Sequence, residues 1–254
     1  MILVFDIETI PDIDAGRKLY GLDGLSDADI IAAMFALRRS KVGHDFLPHY
    51  LQKIVAISLV MAKPESIKVW SLGDETAPES ELIQRFFSGL DQHTPTLVSW
   101  NGSGFDLPVL HYRALLHGIQ AKTYWEIGEQ QQAFRWNNYL NRFHYRHLDL
   151  MDVLSGYQNK AFAPLDDLAT LLGFPGKMGM SGAQVWKNYL AGKITEIRQY
   201  CETDVLNTYC IYLKFDHMRG ILSTSEYEQA VHTLQNMLQT SQKPHLKNFL
   251  EAME

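Results

Sequence analysis

The chain opens on an unbroken apolar run, Met1-Ile2-Leu3-Val4-Phe5, which continues into Asp6-Ile7-Glu8-Thr9 and is stopped by Ile10-Pro11-Asp12. A run without polar interruption reads as a strand buried on both faces, near the centre of a sheet. Alternation along a strand places Asp6 and Glu8 on one face and Ile7 on the other. Residues 54–60 and 66–71 are β-branched strand runs separated by a hairpin-length break at Lys63-Pro64-Glu65, and residues 96–100 form a fourth.

Between these lie segments of helical period. Residues 11–49 read as an insertion after the first strand. Ser26-Asp27-Ala28-Asp29 starts a helix in it, and Ile30, Ile31, Met34, Phe35 and Leu37 follow at helical spacing. Leu82, Ile83, Phe86, Phe87 and Leu90 line one face of a helix over residues 79–90. Residues 107–117 are helical with a proline in the first turn, residues 147–154 and 165–172 are short helices, and residues 183–190 another. Residues 194–215 form a long helix, and 225–239 and 247–252 are terminal ones. Strands interleaved with helices after an initial meander predict an α/β protein, a mixed sheet covered on both faces.

Composition narrows this picture modestly. The 254 residues, 46% hydrophobic and 20% charged, suit a globular chain with a substantial core. No stretch has the length of a membrane span, and no export leader is expected. Two cysteines, Cys201 and Cys210, are too few for a disulfide framework or a cysteine zinc site and fit a reducing cytoplasm. A net charge of -6 provides no global attraction for nucleic acid, although bound metal and local cations can reverse the field where it matters.

The candidate chemistry is carried by acids. Asp6 and Glu8, side by side at a strand end, repel each other unless a proton or cation intervenes. Asp106 begins a helix just beyond a strand, where open α/β sheets bind ligands. Tyr200 and Asp204 are stacked at i and i+4 on the long helix. Asp204 borders the apolar stripe of Ile197, Val205 and Leu206, and a carboxylate there needs a partner. Asp149 and Asp152 read as surface or hydrogen-bonded structural acids. Residues 124–147 interleave aromatic and basic side chains, either as core rings with surface charges or as a surface for single-stranded nucleic acid. Arg38, Arg39 and Lys41 suit a helix C-terminus, the preferred reading, or else a phosphate-contacting patch beside the first strand. The glycine-rich residues 173–182 contain Lys177 but lack the Gly-Lys-Ser/Thr ending of a phosphate-binding P-loop.

Taken in order, Asp6-x-Glu8, Asn101-x-x-x-Phe105-Asp106 and Tyr200-x-x-x-Asp204 resemble the three exonuclease motifs of the DEDD superfamily of DnaQ-like 3'-5' exonucleases. The tyrosine four residues before the last aspartate matches the DEDDy branch; the histidine branch would want His where this chain has Gln199. The wider text, including His147-Leu148-Asp149-Leu150 and Tyr200-Cys201-Glu202-Thr203-Asp204, resembles stand-alone bacterial proteins similar to the exonuclease domain of family B DNA polymerases.

The resemblance runs over residues 1–219 and leaves a helical extension at 220–254; the whole chain is expected to be a single exonuclease domain. It implies an RNase H-like fold with a five-stranded mixed sheet flanked by helices. Asp6, Glu8, Asp106 and Asp204 would bind two divalent metal ions, Mg²⁺ or Mn²⁺, and Tyr200 would position the attacking water. Thr9, Asn101 and Phe105 would contact the substrate, with Asn101 as a turn cap and Phe105 as core for the plainer alternatives. Four carboxylates carry -4 and two divalent ions +4, so the loaded site is neutral and accepts a phosphodiester. The expected partner is a single-stranded or frayed 3' end, DNA rather than RNA. The competing readings are a binding module of the same fold without turnover, an exoribonuclease, and a metal phosphatase acting on small phosphates.

Overall fold

The computed structural model describes residues 1–253. Strand β1 (Ile2–Pro11) is followed by helices α1 (Ile13–Tyr20) and α2 (Asp27–Val42), then by β2 (Gln52–Lys63), β3 (Ser66–Ser71), α3 (Glu79–His93), β4 (Thr96–Ser99) and α4 (Asp106–His117). Beyond them come β5 (His147–Asp149), α5 (Leu150–Leu154), α6 (Leu165–Leu171), α7 (Val185–Leu190), α8 (Ile194–Met218), α9 (Thr224–Thr240) and α10 (Pro244–Glu251). The sheet order is β3-β2-β1-β4-β5. β1 pairs antiparallel with β2 and parallel with β4, so the opening apolar run is the central strand, as its composition requires.

Alternation along β1 divides the core. Leu3, Phe5 and Ile7 pack with Leu82, Ile83, Phe86, Phe87 and Leu110 of α3 and α4. Val4 faces the other way, onto Val205, Leu206 and Tyr209 of α8, with Leu234 of α9 and Phe249 of α10 behind them. Asp6 and Glu8 share the parity of Val4 and therefore point toward α8. Between Glu8 and Thr9 the β1–β2 register slips: Glu8 faces Ala56 and Thr9 faces Ile54. Such a bulge bends the strand and re-aims the side chains beside it.

Two expectations need correction. Residues 147–154 are not one helix: His147–Asp149 form the fifth strand, pairing in parallel with β4, and the helix begins at Leu150. Three residues carry too little period to show this, and the pairing partner decides it. The insertion also holds an unexpected first helix, α1, capped by Asp12, whose side chain accepts from Ala15 N at 3.0 Å. Residues 124–147 split between the two readings: Tyr124, Phe134 and Tyr139 are core, whereas Trp125, Trp136, Phe143 and Tyr145 are exposed.

Candidate active site

Three elements converge at the bulged end of β1. The strand supplies Asp6 and Glu8. The turn after β4 supplies Asp106, and α8 crosses this face with Tyr200, Cys201 and Asp204. Asp106 Oδ1 accepts a hydrogen bond from Ile7 N at 3.1 Å, which fixes its carboxylate against the strand that carries Asp6 and Glu8. Glu8 is 7% exposed and Asp106 3%.

Charge crowding follows directly from this placement. Burial, then Asp106 and Asp204, raises Asp6 well above the ordinary carboxylate range. Glu8 is raised by burial and by Asp6, Asp204 and Asp106 together. Burial pushes Asp106 and Asp204 up to about 7 each. Tyr200 is raised by burial and by Asp204, Glu8 and Asp6, so its phenol keeps its proton. No lysine or arginine forms an ion pair with these four acids among the described residues; Lys177, which lowers Asp204, pairs with Asp166 at 3.5 Å.

Cys201 does not stand out in the sequence, yet it belongs here. Its Sγ lies 3.4 Å from both the backbone oxygen and Oδ2 of Asp6. One atom each from Asp6, Glu8 and Cys201 lie within 4.8 Å of one another. Burial and the neighbouring acids raise the thiol well above its ordinary value, so it keeps its proton and donates to Asp6. Its spacing, three residues before Asp204, puts it on the same helix face, but only the packing of α8 on β1 brings it to Asp6.

The turn between β4 and α4 is built by Asp149, whose two oxygens accept from Asn101 N and Ser103 N, each at 2.9 Å. Asp149 is thus a hydrogen-bonded structural acid, and Asp152 pairs with Arg142 at 2.5 Å. Asn101 takes a left-handed backbone, φ 62°, and its carbonyl accepts from Gly104 N and Phe105 N. A Cβ on Gly104 would lie 2.3 Å from Asn101 Oδ1, so any larger residue there would displace the Asn101 side chain. Phe105 is half-buried, its ring beside Phe46 and His49. Thr9 donates its hydroxyl to Gln52 Oε1 at 3.0 Å, so the group expected to meet substrate is tied to β2 here. A groove of about 430 Å³ leads away from this turn, lined by Asn101, Ser103, Tyr139, Arg142 and Phe162 among others.

The site suits divalent cations on the chemistry of its donors. Clustered carboxylate oxygens, buried and short of protein cations, are what hard Mg²⁺ and Mn²⁺ bind.

Comparison with known proteins gives the family and the fold. Residues 44–253 match the family described as a predicted 3'-5' exonuclease related to the exonuclease domain of PolB. The catalytic subunit of DNA polymerase epsilon from Saccharomyces cerevisiae is 25% identical over 160 residues, 61% of this chain and 7% of that protein. The structure of the family B DNA polymerase from the hyperthermophilic archaeon Pyrobaculum calidifontis matches with a TM-score of 0.50 at 15% identity, covering 93% of this chain and 28% of that one. The fold is therefore the RNase H-like one, and the chain spans under a third of either relative.

Proposed function

The chain belongs to the family of predicted 3'-5' exonucleases related to the exonuclease domain of PolB, and from that premise we propose that it removes nucleotides from the 3' end of single-stranded DNA. The observation that carries this reading is the convergence of Asp6, Glu8, Asp106 and Asp204, all pushed toward protonation by burial, with Asp6 and Glu8 raised further by their acidic neighbours. A module that only bound nucleic acid would have no use for four crowded anions, which repel a phosphodiester.

In this reading Asp6, Glu8, Asp106 and Asp204 would hold two divalent ions. When bound, the ions supply charge neutralisation, an activated water and stabilisation of the leaving 3'-oxygen. Ile7 N aims the Asp106 carboxylate, and the Cys201 thiol donates to Asp6 and fixes its rotamer. Tyr200, unable to ionise at neutral pH, orients the attacking water by hydrogen bonding and does not act as a base. Phe105 presents a partly open ring to the terminal nucleotide. Asn101 shapes the turn that carries it, and Thr9 keeps Gln52 at the strand end.

The test is hydrolysis of a single strand labelled at its 3' or its 5' end, with and without Mg²⁺ or Mn²⁺. Matched RNA and p-nitrophenyl phosphate serve as comparisons. The expected result is metal-dependent release of the 3'-terminal label as mononucleotide, with progressive shortening of the 5'-labelled strand and little hydrolysis of the small phosphate. Binding without cleavage under all conditions would establish the binding module instead, and preference for RNA an exoribonuclease.

A further inference from the structure

Most of the segment between β1 and β2 precedes residue 44, where the family match begins. It has a small core of its own, with Ile30, Met34, Leu47 and Leu51 buried together. Its returning loop is fastened to the acidic strand end at two points. Gln52 accepts from Thr9, one residue past Glu8, and donates to the Leu47 carbonyl at 3.1 Å. His49 Nε2 donates to the Gly104 carbonyl at 2.9 Å, two residues before Asp106.

This anchoring sets a row of rings beside the site. The Phe46 ring lies 5.5 Å from that of Phe105, and the Tyr50 ring meets Tyr112 edge-on at 6.2 Å. All are positioned by neighbours, yet Phe46 is 55% exposed, Tyr50 48% and Tyr112 47%. One cation touches this loop, and a second is exposed on the same helix. Arg38 holds the Phe46 carbonyl through Nε at 2.7 Å, and Lys41 is exposed in the last turn of α2. Arg39 pairs with Asp45, whereas Arg38 and Lys41 have no ion-pair partner among the described residues. Bare aromatic faces interleaved with unpaired cations complement a polyanion whose bases are unstacked.

We propose that this segment is a stacking platform for single-stranded nucleic acid. Phe46 and Tyr50, with Phe105 and Tyr112, receive unpaired bases upstream of the 3'-terminal nucleotide, while Arg38 and Lys41 take their phosphates. The proposal rests on the exonuclease reading for its orientation, but the surface it names is separate from the carboxylates. It makes the segment a length sensor: a substrate reaching past the scissile bond gains affinity that a mononucleotide lacks.

The experiment compares full-length wild type with Phe46→Ala and Arg38→Gln, on a ten-nucleotide single strand and on thymidine 5'-monophosphate p-nitrophenyl ester, in Mn²⁺. Phe46→Ala is expected to lower the ratio of kcat/KM on the oligonucleotide to that on the ester by about tenfold, the scale of one lost stacking contact. Arg38→Gln should flatten the salt dependence of oligonucleotide binding. An unchanged ratio, with melting temperature also unchanged, overturns the platform and leaves the face to some other partner. Binding of the labelled oligonucleotide in an Asp6→Ala background, read by fluorescence anisotropy, separates the two ideas. If wild type cleaves neither substrate, the exonuclease reading fails; weaker binding by Phe46→Ala in that background still supports the platform, and equal binding overturns it.

Discussion

At the scale of single residues, the crowding of the carboxylates costs the fold stability. Burial raises both Asp6 and Glu8, and the neighbouring acids, Asp204 among them, raise them further. If Asp6 and Asp204 hold metal as proposed, Asp6→Ala or Asp204→Ala should reduce hydrolysis by at least about a hundredfold. The same variants should raise the melting temperature in EDTA at pH 8, because one of the mutually repelling charges is gone. Wild-type rates in either variant would remove these residues from the chemistry. Tyr200→Phe separates positioning from ligation: the ring stays and the hydroxyl leaves. Single-turnover hydrolysis should slow by about ten- to a hundredfold, while the Mn²⁺ concentration for half-maximal activity stays where it was. Weaker metal binding in Tyr200→Phe would make the phenol a prop for Asp204.

At the scale of elements, the reach of the sequence depended on how local each signal was. The central strand, the long α8 and the strand–helix turn at Asp106 were legible, because apolar period and motif spacing are written within each element. Cys201 and the strand at His147–Asp149 were not, since one needs the packing of α8 on β1 and the other its pairing with β4. Equally illegible was the buried network behind the site. Arg113 of α4 pairs with Asp12, the cap of α1, and with Glu79, which also accepts from Ile54 N at 2.6 Å and from His117. Arg113→Met should cost about 3–5 kcal/mol in urea unfolding, because two carboxylates are left buried without their cation; a loss under about 1 kcal/mol would mean water replaces the guanidinium. A second network joins the C-terminal helices to α8. Glu202, two residues from Asp204, accepts from Ser71 Oγ at 2.9 Å and from Lys243 and His245 at 2.8 Å each, which holds its carboxyl down to about 2. A depressed carboxylate contributes stability above its ordinary value near 4.5 and loses it as pH falls toward about 2. Glu202→Gln should thus cost about 1–2 kcal/mol at neutral pH, a difference that vanishes near pH 2. A gap that persists in acid would assign the effect to packing.

For the molecule as a whole, the proposed two-ion site would make stability a function of pH and metal together. Unfolded Asp and Glu titrate near 4, whereas native Asp106 and Asp204 hold their protons to about 7 and Asp6 and Glu8 are raised as well. Between those values the native state binds more protons than the unfolded chain. The stability from these groups is therefore complete below about pH 4 and is lost as pH rises through 7. Buried His111 and His147, held down to about 4, act in the opposite sense below their ordinary value. Comparing wild type with Asp204→Asn at each pH cancels that contribution and isolates the carboxylates. In EDTA the wild-type melting temperature should fall relative to Asp204→Asn between pH 5.5 and 8.5, by several degrees for a chain of this size. Mn²⁺ should reverse the order, because ions that bind only the native, ionised cluster stabilise it by mass action. The metal-induced rise should be larger at pH 8.5, where no proton competes for the oxygens. Equal rises at both pH values, or a metal-free melting temperature that climbs relative to Asp204→Asn as pH increases, would show that the four acids are not held together as one charge-deficient pocket.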